Sequence, residues 1–75
     1  MSKELSSLSL YVKNERKKAD LTQVELSKKA GVGLRFIRDL EQGKETLRMD
    51  KVNQVLAMFG GELGVVPLDR EKWYS

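Results

Sequence analysis

Two glycines, Gly31 and Gly43, bracket a short stretch whose apolar residues fall on one side only, and few folds accommodate that arrangement. Upstream of Gly31, Thr22 is followed three residues later by Glu25. This spacing is a capping box: the threonine hydroxyl accepts from the Glu25 amide, and the glutamate reaches back to the Thr22 amide. A helix therefore opens at Thr22, with Leu21 packing on Leu26 as a hydrophobic staple. Val24, Leu26 and Ala30 are its core candidates. It ends near Ala30, because Gly31 supplies the left-handed residue that closes a helix. After the corner Gly31-Val32-Gly33, a further helix spans residues 34–42 and stops at Gly43. Ile37 and Leu40 mark its buried side; Arg35, Arg38, Asp39 and Gln42 mark its outer side. Val32, inside the corner, is expected to tuck into the core and set the angle between the helices. A short helix, a glycine corner and a second short helix make a helix-turn-helix.

The flanking segments are helical as well. Residues 5–19 carry Leu5, Leu8 and Val12 at spacings of three and four, with Tyr11 on the same side, until Asp20 breaks the pattern. The far end of this first helix is basic: Lys13, Arg16, Lys17 and Lys18 crowd around Glu15 alone. Residues 49–59 repeat Met49, Val52, Val55, Leu56 and Phe59 at helical spacing, with Asp50 in the first turn, where a negative charge suits the helix dipole. Arg48 offers this helix no Ser, Thr or Asp cap. Beyond Gly60-Gly61, residues 62–68 are short and β-branched and read as a single strand. A lone strand would leave backbone groups unpaired, so its simplest partner is the same strand of a second copy. Leu63, Val65 and Val66 would then cover a joint core, with Met58 and Phe59 as the nearest helical contributors. Residues 69–75 are mostly charged and end in Trp73 and Tyr74. The expected organisation is a helical domain over 1–61, a dimerisation strand over 62–68 and a tail over 69–75.

Composition narrows the function. The 75 residues allow one domain with one small core. There is no cysteine and no histidine, which excludes disulfides and Cys/His zinc sites. No apolar run approaches bilayer length and no signal-peptide layout opens the chain, so a cytoplasmic protein is expected. Fourteen basic residues against eleven acidic ones give a net charge of +3 and a pI near 9.3, compatible with nucleic-acid binding without establishing it. An enzyme is not expected. No nucleophile sits beside a plausible base, the carboxylates are scattered among cations, and Gly43-Lys44 lacks the preceding glycine and strand of a phosphate-cradling loop. No cofactor is expected either.

The run LTQVELSKKAGVGLRFIRDLEQGK resembles the λ-repressor-like, or Xre-type, helix-turn-helix. It carries that pattern as Leu21-Thr22-Gln23, Ala30-Gly31-Val32, Ile37 and Glu41-Gln42-Gly43-Lys44. The resemblance covers about residues 8–60 and implies an all-α domain of four to five helices, here with the short C-terminal β-strand pairing across a homodimer. It also implies an interface with double-stranded operator DNA carrying an inverted repeat. Arg35 lies where such proteins place base contacts, and a guanidinium can make a two-point contact with guanine worth about 1–3 kcal/mol of discrimination. Leu34 is placed to press on a thymine methyl. Asp39 either accepts from a cytosine amine or orients Arg35 by an i,i+4 pair, the second being favoured. Arg38, Lys44 and Arg48 are expected at phosphates, and the first turn of the second helix, Thr22 and Gln23, at the DNA backbone, with Gln23 also steadying the recognition helix. The resemblance implies that Arg16 pairs with Glu41 and comes near phosphate. Two departures stand out: Gly33 replaces the usual capping Ser or Thr, and Leu47-Arg48 replaces a Pro-Ser. Phe36 is expected to be partly buried against the second helix.

Within that family the segment GVGLRFIRDLEQGKETLRMDKVNQVLAMFG, the strand and the aromatic tail are most similar to HipB-type antitoxins. That likeness implies a repressor of its own operon and a HipA-type Ser/Thr kinase toxin as partner, with Trp73 and Tyr74 as the candidate toxin-binding residues. A stand-alone regulator, or a protein-binding module for which DNA is secondary, is the alternative.

Overall fold

A computed structural model describes residues 7–65. Four helices follow in order: α1 (Ser7–Lys18), α2 (Gln23–Ala30), α3 (Leu34–Glu41) and α4 (Met49–Ala57). Each boundary has a local cause. Helix α1 is left at Asp20, whose φ of 59° is left-handed; aspartate tolerates this better than most residues. Helix α2 opens on the capping box, with the Glu25 amide 3.0 Å from Thr22 Oγ1 and the Thr22 amide 2.8 Å from Glu25 Oε1. Gly31, at φ 75°, closes it, and the amides of Gly31 and Val32 both donate to the Ser27 carbonyl at 3.0 Å. Helix α3 opens on Gly33 in extended conformation without a side-chain cap. Helix α4 likewise starts on an uncapped Arg48.

The core gathers one stripe from every helix: Val12 from α1, Leu26 and Ala30 from α2, Ile37 and Leu40 from α3, and Val52, Val55 and Leu56 from α4. Leu8, Leu21, Val32, Phe36, Leu47, Phe59 and Leu63 pack around it, half-buried. Fully burying a side chain such as Leu26 or Ile37 contributes about 1.5–3 kcal/mol, so these few contacts carry most of the cohesion of so small a domain. Helix α2 packs on both α3 and α4, and α3 packs on both α2 and α1. A Gln54 amide bonded to the Ala30 carbonyl at 3.3 Å ties α4 to the end of α2. No helix among the described residues is long and apolar enough to cross a membrane.

Three core expectations are corrected. Val24 is 43% exposed, because it stands two residues from Leu26 and so about 200° around the helix from the buried side. Tyr11 is 41% exposed: it stands about 100° round α1 from Val12, whose inward face is shared by Ser9 and Arg16. Met49 is 68% exposed, since a helical stripe names a side of a helix and not how far along it a neighbour extends.

The chain after Gly61 forms no strand among the described residues. The Leu63 amide donates to Asn53 Oδ1 at 2.8 Å, which moors this segment to α4. Val65 is fully exposed, Met58 is exposed and Phe59 half-buried. Leu5, Val66, Pro67 and the whole of residues 69–75, Trp73 and Tyr74 included, lie outside the described residues.

Candidate nucleic-acid interface

Helix α3 is strongly two-sided. Ile37 and Leu40 are sealed in the core, while Arg35 and Arg38 stand exposed and make no hydrogen bond or ion pair among the described residues. Leu34 is half-buried at the first position, and Phe36 packs on the core edge. The N-terminal end of α3 is bare backbone: a Cβ built on Gly33 meets nothing within 4 Å.

Behind this face sits a buried polar cluster. Arg16 grips Glu41 with two hydrogen bonds, Nε to Oε2 at 2.7 Å and Nη2 to Oε1 at 3.0 Å, and its Nη1 donates to the Leu21 carbonyl at 2.8 Å. Gln23 Nε2 adds a third donor to Glu41, reaching Oε1 at 3.1 Å. The side chains of Arg16 and Glu41 are only 12% and 3% exposed. Ser9, also buried, donates from its Oγ to the Leu40 carbonyl at 2.7 Å. Thus α1 and α2 hold the last two residues of α3 in place.

The other two cations expected at phosphates, Lys44 and Arg48, are held by acids. Lys44 Nζ lies 3.6 Å from Asp39 Oδ2, and Arg48 pairs with Asp50 through Nη2 to Oδ2 at 2.7 Å and Nε to Oδ1 at 3.1 Å. The Arg48 guanidinium holds the Asp50 carboxyl below its ordinary range. At the start of α2 the Glu25 carboxyl is lowered too, first by the Thr22 backbone N–H and then by the Thr22 hydroxyl.

Residues 12–66 match the family described as Helix-turn-helix. The chain belongs to the helix-turn-helix family. In that frame α2, the corner at residues 31–33 and α3 are the motif, with α3 the second helix. The chain is also 44% identical over 68 residues to a protein of Sinorhizobium fredii (strain NBRC 101917 / NGR234) named an uncharacterized HTH-type transcriptional regulator, y4mF; the match covers 89% of this chain and 90% of that one.

The helix-turn-helix geometry sorts the expected contacts. Arg35, Arg38, Leu34 and Gly33 lie together along the outer side and open end of α3. Thr22 is exposed at the start of α2, but its hydroxyl is engaged in the capping box. Gln23 turns toward Glu41 and so braces α3. Arg16 does pair with Glu41, and all three of its guanidinium nitrogens hydrogen-bond within the fold, so the pair braces α1 against α3. The orienting pair between Asp39 and Arg35 is corrected. Gly43 turns the chain back at φ 87°, bringing Lys44 rather than Arg35 to Asp39. Sequence reasoning missed Ser9. The available signal was its register: Ser9, Val12 and Arg16 share one face of α1, and a small hydroxyl there suits a carbonyl left open at a neighbouring helix end.

Proposed function

We propose that this helix-turn-helix chain is a sequence-specific DNA-binding transcriptional repressor that acts as a homodimer on an inverted repeat. The open end of α3 enters the major groove, with Arg35 reading a guanine edge and Leu34 against a thymine methyl. Arg38, Lys44 and Arg48 meet phosphates beside it. The observation that carries this reading is the pair of exposed guanidiniums, Arg35 and Arg38, without a partner among the described residues, on a helix whose opposite side is fully buried. A long cation without an internal partner, on a rigidly braced helix, is suited to reach a base edge at little ordering cost. The name of the Sinorhizobium relative points the same way. The protein is read as non-enzymatic and cytoplasmic.

Fluorescence anisotropy with promoter DNA and a random duplex, at two salt concentrations, tests this. Binding weakens with salt yet keeps its preference for the promoter. Arg35→Ala loses about 1–3 kcal/mol of discrimination at one base pair, while Arg38→Ala, which removes a phosphate contact, weakens both duplexes about equally. An Arg35→Ala protein with unchanged preference refutes the reading.

The likeness to HipB-type antitoxins supports a finer version: a repressor of its own operon that also binds a HipA-type Ser/Thr kinase, with Trp73 and Tyr74 as anchors. Dimerisation through residues 62–68 belongs to the same reading. A chain ending at Gly61 then sediments as a monomer, and Trp73→Ala loses affinity for the kinase. A dimeric truncation or an unchanged kinase affinity overturns the respective claim.

A further inference from the structure

The turn that ends α3 carries Lys44 back over the helix it has just left. The Lys44 amide donates to the Asp39 carbonyl at 3.0 Å, and the Lys44 ammonium lies 3.6 Å from the Asp39 carboxylate. One residue thus holds both the backbone and the charge of the lysine that follows the recognition helix. Asp39 stands four residues after Arg35, on the same side of α3. Its side chain is 28% exposed and that of Lys44 52%, so both are within reach of an approaching polyanion. Arg48, the other cation expected at phosphate that is tethered, is paired with a neighbour two residues away and more open to water, so that pair is local to the start of α4.

We infer that Asp39 is a specificity-determining residue that competes with DNA phosphate for Lys44 and holds this cation back from duplexes that are not docked in register. The inference rests on the DNA-binding reading above and assigns Asp39 neither a base contact nor the orientation of Arg35. An electrostatic contact with phosphate stabilises any duplex, matched or not. While Lys44 is paired, a loosely placed phosphate has to displace a carboxylate that is covalently fixed nearby, and the displaced carboxylate is then left beside other phosphates. A duplex held in register by Arg35 presents one phosphate at a fixed position, where the exchange is favourable. Asp39 therefore weakens unmatched binding more than matched binding.

The test compares Asp39→Asn with the unaltered chain on two probes, a short random duplex and a duplex selected in vitro by the unaltered chain. Asparagine keeps the shape of the side chain and removes its charge. The expected result is about a two- to five-fold gain in affinity for the random duplex, the range of one exposed ion pair, and a smaller gain for the selected one. The slope of log affinity against log salt on the random duplex steepens, by at most about 0.9, the contribution of one more phosphate contact. A merely structural role for Asp39 does not steepen that slope. In a Lys44→Ala background the gain from Asp39→Asn shrinks. Equal gains on both duplexes, an unchanged salt slope, or a gain undiminished by Lys44→Ala overturns the inference. A loss confined to one base pair of the selected duplex also overturns it and makes Asp39 a base reader. If the unaltered chain binds neither duplex, the DNA-binding reading fails and takes the inference with it; if it binds and Asp39→Asn changes nothing, only the inference fails.

Discussion

Arg38 and Glu41 lie one turn apart on α3, yet Glu41 is enclosed by three hydrogen bonds while Arg38 stands in solvent with no partner among the described residues. The inner charge fixes the helix, since a buried carboxylate tolerates almost no displacement from its donors. The outer charges contribute little to folding and are available to a ligand. A helix that must present long side chains accurately needs both kinds, and here they stand within a turn or two of each other on the same eight residues.

The sharpest way to break this contrast is Arg16→Ala. It strands the Glu41 charge in a site that is 3% exposed, and about 3–5 kcal/mol of stability is lost, measured by urea unfolding. Arg38→Ala, by comparison, stays within about 0.5 kcal/mol of the unaltered chain. A smaller loss, about 1 kcal/mol, follows Ser9→Ala, because the Leu40 carbonyl forfeits one donor but still accepts from the Gly43 amide at 3.2 Å.

Acid probes the contrast through the capping box. The folded pKa of Glu25 is lowered, so its contribution is complete above the ordinary glutamate range and is lost as pH falls through the lower folded value. Below about pH 4.3, the unaltered chain therefore loses more stability than Glu25→Gln, read as the difference between their thermal midpoints across an acid series. The smallest effect is a gain. Gly33→Ser supplies the missing cap of α3 into open space and adds a few tenths of a kcal/mol. If the serine also weakens DNA binding, the bare backbone at Gly33 matters for contact as well as for geometry.

Much of this design was legible because it is written locally. The capping box at Thr22 and Glu25, the closing glycines and the opposition of Ile37 and Leu40 to Arg35 and Arg38 each depend on residues within one turn of each other. The Arg16–Glu41 pair bridges 25 positions and was legible only through family resemblance. The features that escaped depend on three-dimensional placement. Ser9 is informative only once the Leu40 carbonyl is known to lie opposite it. Asp39 pairs with Lys44 because Gly43 reverses the chain, whereas helical spacing alone favours Arg35. Val24 and Met49 look like core because hydrophobicity states a preference, not a location. Shortness and β-branching make residues 62–68 read as a strand, whereas the part described is moored by Asn53.

Among the described residues, the side-chain hydrogen bonds that secure α3 all fall on its final two residues, Leu40 and Glu41, while the end that begins at Gly33 carries none. Mechanically the polar anchorage is at one end, while the end bearing Arg35 is held by the apolar packing of Phe36 and Ile37. Slack among the polar anchors tilts the helix about that packing. A substitution in α1 is therefore able to shift the Arg35 guanidinium without removing a single contact to it.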